Sequence, residues 1–205
     1  MELFFAPLSC SMATRIALYE TGQDAKFTQV TLSNKTTSDG RDYWGINPTG
    51  QVPALLTDDM GILAEGPAVL QYVADKKPAA GLAPAYGTPA RYKLQQWLNY
   101  ISTEVHKAVY AQIFNPMTPP ETKEYVRKIV GARYDRLSKH LDGREFLMDQ
   151  FTVADAYLVT TLGWADPAGI DLKPWPVLLA YRDRLRQRPS VAKALAEEMK
   201  IAGRA

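Results

Sequence analysis

The chain has 205 residues, 46% of them hydrophobic, enough to bury one large core or two small ones without covalent staples. It carries one cysteine, so no internal disulfide can form, and its 24 basic and 22 acidic residues are mixed along the chain to a net charge of +2. That mixing excludes the concentrated basic tract of a nucleic-acid or anionic-membrane binder, and no apolar run approaches the roughly 20 residues that span a bilayer. The single cysteine, and a start (Met1-Glu2-Leu3-Phe4) without a basic stretch and long apolar run, lead us to expect a cytoplasmic location.

In chain order, Leu3 to Phe5 reads as a short buried strand. Ser9 suits the cap of a helix that runs to Thr21 and stops at Gly22. Phe27 to Leu32 alternates as a second strand, and a short helix is expected near Asp39 to Trp44. Val52 to Leu56 and Ile62 to Ala64 make two strands around the turn Thr57-Asp58-Asp59-Met60-Gly61, and Pro67 opens a helix at its favoured first position. The order βαβαββα predicts an α/β domain with a mixed sheet over 1–77. The stretch 78–89 is too rich in Pro, Gly and Ala for regular structure and reads as a linker.

Beyond it the periodicity is helical throughout, so 90–205 is expected to be an all-α domain. Tyr92 to Phe114 carries an apolar stripe from Leu94 to Val109 and a separate polar one, Asn99, Thr103, His106 and Tyr110, at spacings of four, three and four. Pro119-Pro120-Glu121 starts a helix that ends at Asp142-Gly143, and Thr152-Val153-Ala154-Asp155 is a capping-box arrangement opening Val153 to Ala165. Two more helices follow Pro176 and Pro189; Arg182, Arg184, Arg186 and Arg188 read as a solvated face.

Three features of the first half could together bind a peptide-like thiol. Cys10 stands where a helix begins, so unpaired backbone N–H groups and the positive end of the macrodipole would favour its thiolate; read alone, it is equally a small buried cysteine under a turn. Val52-Pro53 opens a strand, where a cis bond would turn the N–H and C=O of Val52 outward to pair with an extended ligand, although trans is the commoner state. Glu65-Gly66-Pro67 offers a carboxylate for an ammonium group and an open helix terminus for a carboxylate; alone, it is a favourable cap. His106 alone is a hydrogen-bonded helix histidine.

Taken together, Cys10, Gly50-Gln51-Val52-Pro53-Ala54-Leu55, Glu65-Gly66 and Phe151-Thr152-Val153-Ala154-Asp155-Ala156-Tyr157 resemble the glutathione S-transferases, and the bacterial beta class in particular. Within that class the resemblance extends to Trp97-Leu98-Asn99-Tyr100-Ile101, Thr103-Glu104-Val105-His106-Lys107 and Phe114-Asn115-Pro116. It implies a thioredoxin-like N-terminal domain, an all-α C-terminal domain, and a homodimer with glutathione as co-substrate, bound between the domains, and no metal. Carried over, it implies that Cys10 contacts the glutathione sulfur with Ser11 and His106 beside it. Lys35 would reach the glycyl carboxylate, Val52 and Pro53 would present the backbone that pairs with the cysteinyl unit, and Glu65 and Gly66 would hold the γ-glutamyl end. Asn99, Thr103, Glu104, Val105, His106 and Lys107 would complete the site, although Glu104 falls off the polar stripe. An apolar pocket for an electrophile would be lined by Leu8, Tyr110, Ile113, Phe114, Met117 and Trp164.

The sequence departs from the wider family in three ways. Phe4 to Pro7 holds no hydroxyl where many other classes place a catalytic tyrosine, Gly66 replaces a common serine, and Phe146 to Phe151 lacks the glycine that often precedes Thr-Val-Ala-Asp. The implied activity is conjugation of glutathione to hydrophobic electrophiles, with Cys10-dependent thiol–disulfide exchange as a second route. A non-catalytic binding or assembly protein, and a glutathione-dependent dehalogenase or isomerase, are the alternatives.

Overall fold

A computed structural model describes residues 1–204. The chain divides into two compact units, one comprising Met1–Ala83 and the chain from Arg188 onward, the other Pro84–Gln187.

In the first unit, strand β1 (Glu2–Phe5) leads into helix α1 (Ser11–Thr21), followed by β2 (Lys26–Thr31), β3 (Thr36–Thr37), β4 (Ala54–Leu56), β5 (Ile62–Ala64) and α2 (Gly66–Asp75). The strands form one mixed sheet in the order β3-β2-β1-β4-β5. Only β1 and β2 are parallel, because α1 crosses over between them. Leu3, Phe4 and Phe5 of central β1 are 0–2% exposed, which explains a strand apolar at three successive positions rather than alternating. Gly22 ends α1 in the left-handed conformation, φ 62°, with its N–H bonded to carbonyls of the last turn.

Three sequence expectations are corrected here. No helix forms near Asp39 to Trp44; the segment makes turns, and Thr36–Thr37 pairs antiparallel with β2 instead. Three residues of the expected irregular linker, Pro78–Ala80, form a 3₁₀ turn. The helix after Pro189, α8 (Pro189–Ile201), was expected in the all-α domain and belongs to the first unit, packed against α1. Its contacts are to residues far away in sequence: Arg15 Nε donates to Glu198 Oε1 at 2.9 Å, and Arg188 Nε to Glu20 Oε1 at 2.6 Å.

The second unit is helical. Helix α3 (Pro89–Tyr100), capped by the Thr88 side chain, runs into a π-helical stretch, Ile101–Tyr110, and then α4 (Ala111–Phe114). Helices α5 (Pro120–Leu141), α6 (Val153–Leu162) and α7 (Pro176–Arg186) complete it. Every residue of α6 is buried, so it has no polar face to show as a period in the sequence, and it ends three residues before the expected Ala165. The expected solvated arginine face is corrected at two of its four positions: Arg182 is buried and paired with Asp166 and Asp183, and Arg188 is bound to Glu20, while Arg184 is exposed. Among the described residues no helix is long and apolar enough to cross a membrane.

The capping box at α6 forms as the sequence indicates, and more hangs on it than a helix start. Asp155, fully buried, accepts from the Thr152 N–H and hydroxyl, both at 2.9 Å, from the Leu147 N–H at 2.8 Å and from the Tyr181 hydroxyl at 2.8 Å. One carboxylate thus ties the preceding loop and α7 to α6. Asp155→Ala leaves several buried donors without an acceptor and is expected to cost about 3 kcal/mol or more of stability, read from chemical denaturation; Asp155→Asn, which keeps one acceptor, should lose less.

Candidate functional site

The ladder register decides which residues of the first unit meet. Phe4 is opposite Ala54, and Ala54 is opposite Ala64. The loop leaving β1, the approach to β4 and the exit from β5 therefore lie at one end of three adjacent strands, and that end holds Cys10, Val52-Pro53 and Glu65-Gly66. Cys10 precedes the first residue of α1, half-buried, and its thiol donates to the Val52 carbonyl at 3.1 Å. The peptide bond between Val52 and Pro53 is cis. Ser9, expected to cap the helix, lies one residue earlier than the structural cap, yet its hydroxyl accepts the Ser11 N–H at 3.3 Å.

Ser11, placed by the resemblance beside the thiol, is fully buried and occupied: its hydroxyl bonds to the N–H and C=O of Ala6 at 3.2 Å and to Ser9 Oγ at 2.7 Å. It shapes the loop that carries Cys10 and offers no surface to a ligand. The turn before β4 is shaped similarly, since Tyr43 Oη and Asn47 Nδ2 both donate to the Gln51 carbonyl, at 2.6 and 2.8 Å. Lys35 Nζ donates to the Gly50 carbonyl at 2.8 Å, beside the exposed ring of Trp44. Gly50 is required there: at φ 61°, an added Cβ would stand 2.8 Å from the Trp44 ring and 3.2 Å from the Lys35 side chain.

Among the described residues, the non-glycine residues with positive φ are Leu8 (59°), Lys35 (56°) and Glu65 (66°), and all three belong to the residue set expected for the site. Such conformations cost about 1–3 kcal/mol each and persist where the surroundings hold them. Glu65 is exposed at the start of α2, and its carboxylate carries no ion pair or hydrogen bond among the described residues.

In the helical unit the expected polar stripe is broken. The π-helical stretch bonds the Ala111 N–H to the His106 carbonyl, five residues back, so residues four apart no longer align. Asn99, Thr103 and Lys107 are exposed, His106 is half-buried, and Tyr110 is fully buried. Tyr110 shares a very short hydrogen bond with Tyr134, and Val105 is likewise without exposed surface. Neither has exposed side-chain surface in this structure. Glu104 is held by Arg133 at 3.1 Å. Of the remaining expected pocket residues, Ile113 is nearly buried, Phe114 is half-exposed and Met117 is exposed; Leu8 lies in the first unit. The Trp164 ring stands edge-on to His106 at 5.0 Å and to Tyr110 at 5.4 Å.

Nδ1 of His106 and the Tyr157 hydroxyl share a hydrogen bond at 2.7 Å. Burial, with Lys107 nearby, pushes the imidazole down to about 4, so it is neutral at pH 7. A neutral ring this weakly basic orients and donates a hydrogen bond rather than storing a proton. Sequence reasoning missed Tyr43, Trp44, Asn47 and Tyr157 as supports; only Asn47 left a signal, the Asn-Pro-Thr-Gly turn.

Residues 1–75 match the family model for the glutathione S-transferase N-terminal domain, and residues 108–184 the model for its C-terminal domain. The glutathione S-transferase GstA of Escherichia coli O157:H7 is 41% identical over 199 residues, 97% of this chain and 98% of the relative. The chain belongs to the glutathione S-transferase family. Its structural relatives within that family include a sphingomonad glutathione S-transferase complexed with glutathione, with a TM-score of 0.93 at 43% identity over 97% of this chain and 98% of that one. A bacterial beta class glutathione S-transferase of Sphingomonas chungbukensis gives 0.93 at 42% identity, over 97% and 98% of the two chains.

The charge state of His106 is open to a direct check. By proton NMR its ring resonances should titrate with a midpoint near 4 rather than near 6.5. Because the folded value lies below the ordinary one, its contribution to stability is present above pH 6.5 and declines as the pH falls through about 4.

Proposed function

We propose that the chain transfers the thiol of glutathione to hydrophobic electrophiles, and that Cys10 supports thiol–disulfide exchange as a second route. The observation that carries this reading is the convergence, at one end of three strands, of the Cys10 sulfur, the Val52 backbone and the unpaired Glu65 carboxylate at an open helix start. Those groups suit the three parts of glutathione: a sulfur beside a helix entrance, a peptide unit to pair with backbone, and an ammonium-bearing end for a carboxylate. Lys35 supplies the cation for the glycyl end. On the family resemblance, Asn99, Thr103, Glu104, His106 and Lys107 of the helical unit complete the glutathione site, Phe114, Met117 and Trp164 line the electrophile pocket with Leu8 and Ile113, and the protein is a cytoplasmic homodimer.

In conjugation, the glutathione thiol loses its proton, attacks an electrophilic carbon, and the leaving group departs with the electron pair of the broken bond. In exchange, the Cys10 thiolate attacks the glutathione sulfur of a mixed disulfide and releases the other thiol. A second glutathione thiolate then attacks that same glutathione sulfur, freeing Cys10 and giving glutathione disulfide. With one cysteine in the chain, the external thiol is indispensable.

The two routes separate in one experiment, with glutathione-dependent turnover of an aromatic halide and of a small mixed disulfide measured in wild type and Cys10→Ala. The variant is expected to keep glutathione binding and most conjugation but lose exchange; retained exchange would remove the covalent role of Cys10. Glu65→Ala should raise the KM for glutathione about tenfold with little effect on kcat, the loss of one charge-assisted contact to bound ligand. Failure of wild type on both substrates would move the weight to a binding role.

A further inference from the structure

The last helix reaches back to the loop that carries Cys10. Glu198 of α8 has no exposed surface, and its two carboxylate oxygens serve two different segments. Oε1 accepts from Arg15 Nε at 2.9 Å, and Oε2 accepts from the backbone N–H of Leu8 at 2.6 Å. Leu8 is the positive-φ residue of the loop, two positions before Cys10. A left-handed leucine is unfavourable without support, and the Glu198 bond to its N–H is such a support.

We propose that Glu198 is a positioning residue of the thiol site, holding Leu8, and through it Cys10, in the conformation that sets the sulfur against the Val52 carbonyl. The assignment of that sulfur to a thiol site rests on the function proposed above; the bracing of the loop does not.

The surroundings make this brace sensitive to protonation. Facing the Glu198 carboxylate are Arg15 from α1 and the Leu8 N–H from the loop. The neighbouring Glu197 is engaged by Arg15 at 3.1 Å and by the Tyr19 hydroxyl, and Lys193 stands over the Tyr19 ring at 4.3 Å. The Arg15 guanidinium lies between the Phe5 and Phe27 rings at 4.3 and 4.1 Å, and its Nη2 finds no acceptor among the described residues. A separate ion pair, Glu20 of α1 with Arg188 just before α8, engages both Glu20 carboxylate oxygens. Burial pushes the Glu198 carboxyl up to about 7, opposed by the Leu8 N–H and Arg15. Since the ordinary value is 4.5, the folded chain holds a proton between pH 4.5 and 7 that the unfolded chain has released. Ionising Glu198 therefore lowers stability as the pH rises through that window, while giving Leu8 and Arg15 their full acceptor.

The test uses the full chain and does not depend on turnover. Alkylation of Cys10 by iodoacetamide at pH 8 is measured in wild type, Glu198→Gln and Glu20→Gln. Glu198→Gln is expected to speed it about fivefold, by freeing the sulfur from its braced position, while Glu20→Gln stays within about twofold. Equal effects of the two variants, or none from Glu198→Gln, would overturn the proposal. Should Glu198→Gln fail to fold, the Leu8 amide proton is followed by NMR in Cys10→Ala, where no thiol titrates. A shift with a midpoint near 7 is expected, and a flat profile between pH 5 and 9 would overturn the proposal. Neither readout changes if the electrophile reading is wrong.

Discussion

The register of β1 against β4 is the constraint from which the thiol corner follows. With Phe4 opposite Ala54 and Ala54 opposite Ala64, three loops must leave the sheet at the same end. A slip of one residue would turn Leu3 and Phe5 to the opposite face and separate Cys10 from the Val52 carbonyl. Leu3, Phe4 and Phe5 are all buried, so the strand that positions the polar corner also runs through the apolar core.

Around this end the backbone departs from comfortable conformations only where a side chain or hydrogen bond holds it. Leu8 is held by Glu198, the Gly50 carbonyl is held by Lys35, and the Gln51 carbonyl by Tyr43 and Asn47. The site is thus supported by groups that need not touch a ligand themselves, which is how a reactive geometry is kept when loops rather than strands present it. His106 follows the same logic in the helical unit, where the Tyr157 hydroxyl fixes the imidazole.

What could be read from the sequence was local. Gly22 after α1, the prolines opening α2, α5, α7 and α8, and the Thr152 to Asp155 box each act within a turn of where they stand, and each marks the element that the sequence assigns. The candidate residues near Cys10, Val52 and Glu65 came from a family resemblance supported by local motifs, and the positive φ of Glu65 and Lys35 left no trace in residue type. What could not be read was of longer range. Nothing in the pattern of α8 says that its glutamates meet Arg15, and nothing in the apolar period of 89–114 says that its middle pairs five residues back, which removes Tyr110 from the polar stripe. The arginines near the end looked solvated because a charge run carries no sign of its partners; Asp166, Asp183 and Glu20 supply them.

The first unit is discontinuous, begun by Met1–Ala83 and finished only by α8, whereas the helical unit is a single continuous stretch. During synthesis the helical unit has its whole sequence available while the sheet still lacks its last helix. The carboxylate that braces the Cys10 loop is made after both the sheet and the whole helical unit. Translation that stops short of Glu198 would leave the Arg15 guanidinium between its two rings with its fully buried counter-charge missing, and so expose an unfinished sheet to quality control.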